Sequence, residues 1–249
     1  MSANRAASIR ARLKQHAAES KQDFNLTLTR FGLERLLYRL SVSDHAGNFL
    51  LKGALLFQLW YGHPHRPTQD ADLLGFGPDD VPTLVEMFRS VAEIPVDDGI
   101  VFDPATTKGS EIRKDAGYGG VRIDLRATLD GAQIALQVDI GFGDAVTPGA
   151  QAVTYPTLLP DVPGPMLRAY PKATVVAEKT HAIAATFARR QTAVPEVLPI
   201  GFSEVFAQDA PKQLQWRAFL NRNRLDALDL SAVLLFVRTR LQAVDFPHR

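Results

Sequence analysis

The sequence predicts an α+β fold (mixed α/β), a sheet with flanking helices followed by a C-terminal helical subdomain, on three observations. The stretch from Phe49 to Gly77 reads as strand, glycine turn, helix, loop, strand. One apolar run ends at Lys52-Gly53, a second from Ala54 to Tyr61 suffices for two helical turns, and Asp70 and Asp72 open a third. Val121–Leu129 and Ala132–Ile140 alternate apolar and polar residues on either side of Asp130-Gly131, a two-residue hairpin signal. Both ends of the chain repeat apolar residues at helical spacing.

Taken in order, residues 4–40 read as helix, with one stripe at Ile9, Leu13, His16 and Ala17 and another at Leu33, Leu36, Leu37 and Leu40. A more polar segment from Asp23 to Thr29 predicts a break. Pro82 to Ala92 predicts an amphipathic helix, and residues 93–120, rich in Pro and Gly, predict a short strand near Ile100–Phe102 and otherwise loops. In the hairpin the turn sets the register, so that paired residue numbers sum to 261. Ile123, Leu125 and Ala127 then face Val138, Leu136 and Ile134, while Arg122 opposes Asp139 and Asp124 opposes Gln137. Six prolines in residues 147–171 predict an extended connection between two domains, 1–160 and 161–249. Thr174 to Arg189 predicts a helix with Lys179 inside its apolar stripe, where an ammonium must snorkel, pair with an acid or face a cleft. Helices near Pro211–Leu220 and Leu225–Leu241 close the chain, with Trp216, Phe219 and Leu220 on one apolar face and Leu228, Leu235 and Phe236 on another.

The chemistry concentrates at Asp70 and Asp72. Alternate strand residues point to one face, ~6.6 Å apart, so the two carboxylates can grip hard cations together. Mg²⁺ takes a few carboxylates plus water and phosphate oxygens. Two such ions ~3.5–4 Å apart stabilise both the attacking and the leaving oxygen of a phosphoryl displacement. The Gly53 turn before a helix offers N–H groups to phosphate. On the residues alone, the hairpin leaves Asp124 and Asp139 as equal candidates for a third acid, and the Arg122–Asp139 pair reads equally as a structural contact worth under ~1 kcal/mol.

Lys52-Gly53-Ala54, Arg66-Pro67-Thr68-Gln69-Asp70-Ala71-Asp72, Val138-Asp139 through Gly143-Asp144, and Ala177-Glu178-Lys179 occur in that order. As a set they resemble the AbiEii/AbiGii toxin family, whose members have the DNA polymerase β-like nucleotidyltransferase fold; the likeness spans roughly residues 20–240. It implies a toxin of a toxin–antitoxin system, an NTP substrate, an acceptor that in some members is tRNA, and an antitoxin partner. It also implies Asp70, Asp72 and Asp139 as ligands of Mg²⁺ or Mn²⁺, Asp139 being preferred over Asp124. Lys179 would hold the triphosphate, and Lys52, Gly53, Arg66 and Thr68 the substrate. The chain departs from the family pattern by Gly-Ala where Gly-Gly is usual, and by lacking the Arg-x-x-Asp-x-x-Asp segment after the Ala-Glu-Lys helix. Arg222 to Asp229 mimics that segment, with Asp226 and Asp229 on one helix face, inside surroundings that match the family's C-terminal tail. The reading is a deletion, and it admits a family member that binds a nucleotide or a protein without catalysis, or a phosphotransferase using the same metal site.

Composition sets the remaining bounds. The 249 residues are 46% hydrophobic and include no cysteine, which excludes disulfide and thiol chemistry. No apolar leader and no run of ~20 apolar residues is present, so the expectation is a soluble cytoplasmic protein without membrane contact. The net charge of +1 hides basic ends, eight Lys/Arg against three acids in residues 1–40 and nine against six in residues 189–249. Between them, residues 68–104 carry nine acids against one Arg. That pattern suits a polyanion held at the edges and metal at the middle; it equally suits ordinary solvated helix faces. Arg5, Arg10, Arg12 and Lys14 are the basic residues to follow.

Overall fold

The computed structural model describes residues 3–61, 68–113, 119–176, 178, 203–223 and 229–242. The chain divides into two compact units, Met1–Thr174 and Val175–Arg249.

The first unit opens with α1 (Ala3–Glu19) and α2 (Phe24–Ser41), then alternates β1 (Phe49–Lys52), α3 (Leu55–Tyr61), β2 (Asp70–Gly75) and α4 (Val81–Glu93). Five strands follow: β3 (Val101–Arg113), β4 (Gly119–Leu129), β5 (Ala132–Gly141), β6 (Gln151–Thr154) and β7 (Met166–Ala169). They form one mixed sheet in the order β3-β4-β5-β2-β1-β7-β6. β2 runs parallel to β5 and β1 parallel to β7, and the other neighbours are antiparallel. The hairpin register is the one the Asp130-Gly131 turn dictates, from Leu129↔Ala132 through Ile123↔Val138 to Arg122↔Asp139. Its apolar residues Ile123, Leu125, Ala127, Ile134, Leu136 and Val138 are all buried.

α1, α2 and α4 make the core with this sheet, α2 packing on β5 and β7 and α4 on β3 and β4. Two ion pairs are buried with them. Arg39 donates to both oxygens of Asp98 at 2.7 and 3.1 Å, and Arg35 lies 3.0 Å from Glu34. Glu34 also accepts the Leu158 N–H at 2.7 Å, and Arg35 donates to the Pro163 carbonyl at 2.7 Å. Those bonds tie α2 to the proline-rich connection, which therefore packs as part of the first unit and contributes β6 and β7 to the sheet edge beside β1.

Two expectations are corrected here. Residues 101–113 form one long edge strand and not a three-residue strand with loops. The Pro104 that suggested a loop sits in an irregularity between Asp103 and Lys108, where an edge strand tolerates a missing donor. Gly109 lies under Val81 and Val85 of α4, closer than any side chain would allow. The helical break falls just before the segment expected, at residues 20–23, and Asp23 caps α2 by accepting the Leu26 N–H at 2.9 Å. The three arginines of α1 serve intramolecular pairs, Arg5 with Asp97, Arg10 with Asp130 and Arg12 with Asp161, while Lys14 is exposed.

Residues 172–176 are helical, as the Thr174–Arg189 reading requires, and the rest of that helix apart from Glu178 lies outside the described residues. In the second unit, α5 (Glu204–Gln208), α6 (Ala210–Asn223) and α7 (Leu230–Gln242) are described. Leu235 and Phe236, expected on an apolar face, are more than half exposed. Among the described residues no helix is long and apolar enough to cross a membrane.

Candidate active site

The site is built where β1, β2 and β5 lie side by side. β1 ends at Lys52, and Gly53 turns the chain into α3 with φ +71°, a conformation that favours glycine. A Cβ at Gly53 would overlap the Asp72 carboxylate. The close approach lets the Ala54 N–H donate to that carboxylate. The register then fixes the neighbours of Asp72: Lys52 on β1 and Asp139 on β5 are its direct partners across the sheet, and Asp70 pairs with Gln137. Parallel pairing in register puts Asp70, Asp72 and Asp139 on one face of adjacent strands.

Asp72 senses the other two acids. The Asp72 carboxyl is held above the usual carboxylate range, first by burial and then by the charges of Asp70 and Asp139, with Lys52 and the Ala54 N–H opposing. Asp139 is engaged by Arg122, which donates to its two oxygens at 2.8 and 2.9 Å. The Gln137 carboxamide, with its oxygen toward Arg122, accepts from the same guanidinium at 3.3 and 3.1 Å. Lys52 is nearly buried, with its ammonium 2.5 Å from Asp144 and 5.8 Å from the centre of the Tyr170 ring. The Tyr170 hydroxyl donates to the same Asp144 oxygen at 3.1 Å. Two residues before Asp70, Thr68 is buried and its hydroxyl has no hydrogen-bond partner among the described residues. A cleft of about 640 Å³ opens beside Asp70, between the start of β5 and the N-terminal half of α2.

The donor chemistry fits a hard divalent cation: clustered carboxylates, one with its ionised form disfavoured first by burial and then by its acidic neighbours. The arrangement does not hold such an ion ready. Among the described residues no group of three or more His, Asp or Glu side chains is placed to ligate one, and both oxygens of Asp139 face Arg122.

Of the residues singled out in the sequence, Asp70, Asp72, Asp139, Lys52, Gly53 and Thr68 lie together around these three strands. Arg66, Lys179 and Asp226 lie outside the described residues. Asp124 is one strand farther out, opposite Gln137, and Asp229 caps α7 by accepting the Ala232 N–H at 3.0 Å. The sequence reading missed the Asp144–Tyr170 clamp on Lys52. Asp144 was visible in a glycine-rich exit, but Tyr170 follows a strand whose parallel pairing to β1 joins residues far apart in the chain.

These features and the sequence put the chain among the nucleotidyltransferases. Residues 35–194 match the family described as "Nucleotidyl transferase AbiEii toxin, Type IV TA system". The chain belongs to that AbiEii family, and is thus a nucleotidyltransferase of the toxin–antitoxin kind, for which an NTP substrate and an antitoxin partner are the general rule. Two solved structures from Helicobacter pylori are similar. A protein assigned as a nucleotidyltransferase is 14% identical with a TM-score of 0.42, covering 85% of this chain and 94% of its own. JHP933 is 16% identical with a TM-score of 0.38, covering 84% and 86%. At those scores neither likeness carries an argument about this chain. No curated protein matches its sequence.

Proposed function

We propose that the chain is a metal-dependent, cytoplasmic toxin that transfers a nucleotide from an NTP to an acceptor hydroxyl, with tRNA as the acceptor to test first. The observation that carries this reading is the in-register placement of Asp72 against Asp139, with Asp70 beside them. Asp70, Asp72 and Asp139 would hold Mg²⁺ or Mn²⁺, which when bound would neutralise phosphate charge. The chain's own residues do the positioning. Gly53 lets the backbone approach Asp72, whose carboxylate takes the Ala54 N–H. Lys52, fixed by Asp144, sets positive charge beside Asp72. Lys179 and Arg66 are assigned to the triphosphate by their motifs alone. The acceptor oxygen bonds to the α-phosphorus as the bond to pyrophosphate breaks, and catalysis rests on positioning and charge.

The bidentate hold of Arg122 on Asp139 favours a second reading, a member that binds a nucleotide or its antitoxin without turnover. The chain would then be self-satisfied at the position of its third acid. Incubation with total RNA, Mg²⁺ and NTP labelled at the α- or the γ-phosphate separates the readings. The proposal expects α-label in RNA with the parent and none with Asp70→Ala. Label from the γ-phosphate would mark a phosphotransferase, and equal α-label from both proteins would end the assignment of Asp70.

A further inference from the structure

We propose that the cleft beside Asp70 is a nucleobase subsite, read by Asn25 of α2 and Gln133 of β5. The inference rests on the nucleotidyltransferase reading for the phosphate end and on the cleft's own chemistry for the base end.

β2 joins the sheet only from Asp70, opposite Gln137, so the first half of β5 has no strand beside it on that edge among the described residues. The cleft occupies this gap. One wall is apolar, formed by the buried Leu28 and Ile134. The rim carries the neutral amides of Asn25 and Gln133, and deeper in lies the Thr68 hydroxyl, buried and without a partner among the described residues. No cation lines the cleft among the described residues, and its charged members are Asp70 and Asp124. Those carboxylates disfavour a triphosphate there, while the cation-gripping acids stand at its mouth. A planar heteroaromatic ring has an apolar face and hydrogen-bonding edges, which matches an apolar wall with amide and hydroxyl groups around it. The volume is in the range of small-molecule sites and takes a nucleoside with room to spare. Asp124, the lining carboxylate not assigned to the cation, can only accept, and favours bases with an exocyclic amine, namely cytosine, adenine and guanine, over uracil.

The base could belong to the NTP or to the 3′ end of the RNA acceptor, and the test separates them. Asn25 and Gln133 are exposed, so Asn25→Ala, Gln133→Ala and the cleft-filling Gln133→Trp should leave the fold intact. Binding of each of the four NTPs, and of short RNAs differing in the terminal base, is measured by equilibrium dialysis with Mn²⁺ for parent and variants. The expected result is weaker parent binding of uracil than of the amine-bearing bases. The variants should lose about 5-fold or more in affinity, most with Gln133→Trp, for NTPs if the cleft holds the incoming base and for the RNA if it holds the acceptor's. If the parent does not discriminate among the bases, or the variants bind both ligands as the parent does, the proposal is overturned. Absence of transfer with base discrimination intact would sink the enzymatic reading and leave the subsite standing.

Discussion

The two faces of the sheet treat charge differently. On the helix-covered side Arg39 meets Asp98 and Arg35 meets Glu34, one cation to one acid, with Arg39, Arg35 and Glu34 also bonded to backbone. Burial pushes the Glu34 carboxyl up to about 7, and the nearby Arg35, Leu158 N–H and Arg30 all act to bring it down. On the other side Asp70, Asp72 and Asp139 share a face with Arg122, while Lys52 is committed to Asp144. Asp72 is also raised by burial, but there two neighbouring acids add to the rise. A charge cluster that serves the fold is balanced within the chain. One left in acid surplus among the described residues stores repulsion that a cation from outside can relieve.

The largest test of this contrast is Asp98→Ala. It strands the Arg39 guanidinium in the core and should cost about 3–5 kcal/mol in urea unfolding, with nucleotide transfer per folded molecule unchanged. Gly53→Ala should invert that pattern. Its Cβ collides with Asp72 and its φ is positive, so transfer should fall about 100-fold in kcat, for a stability loss of about 1–2 kcal/mol. Asp72→Asn should stabilise the protein. Because the folded carboxyl is raised, the stability it contributes is complete below the unfolded carboxylate range and is lost as pH rises through the folded value. The variant should therefore melt about 2–4 °C above the parent at pH 7, and the gap should close near pH 3. The smallest effect belongs to the surface pair of Arg12 and Asp161: Arg12→Ala should cost under about 1 kcal/mol, less at high salt.

The helix-covered face was legible in the sequence because local signals decide it. Asp130-Gly131 fixed every pair of the hairpin, and the stripes of α1, α2 and α4 named core residues. The strand–glycine–helix reading located the Gly53 turn, but not its approach to Asp72 on the later strand, which leaves no room for a Cβ. β3 was hidden because its proline and glycine read as breakers, when an edge strand accepts the first at a bulge and α4 needs Gly109 for contact. At the site, spacing paired Asp70 with Asp72, but the choice of Asp139 over Asp124 depended on resemblance, since the hairpin alone offers both to the same face. The parallel β2–β5 register that sets Asp139 beside Asp72 leaves no local trace, nor does the cleft at the free edge of β5.

Thermal unfolding of the parent and Asp72→Asn, with and without MnCl₂ or MgCl₂, tests the acid surplus most directly. Metal at about 100 times its Kd should stabilise the parent by about 2.7 kcal/mol, and should leave Asp72→Asn, already the more stable without metal, little changed. A parent whose melting is indifferent to either cation, or a variant that gains as much as the parent, would contradict the account.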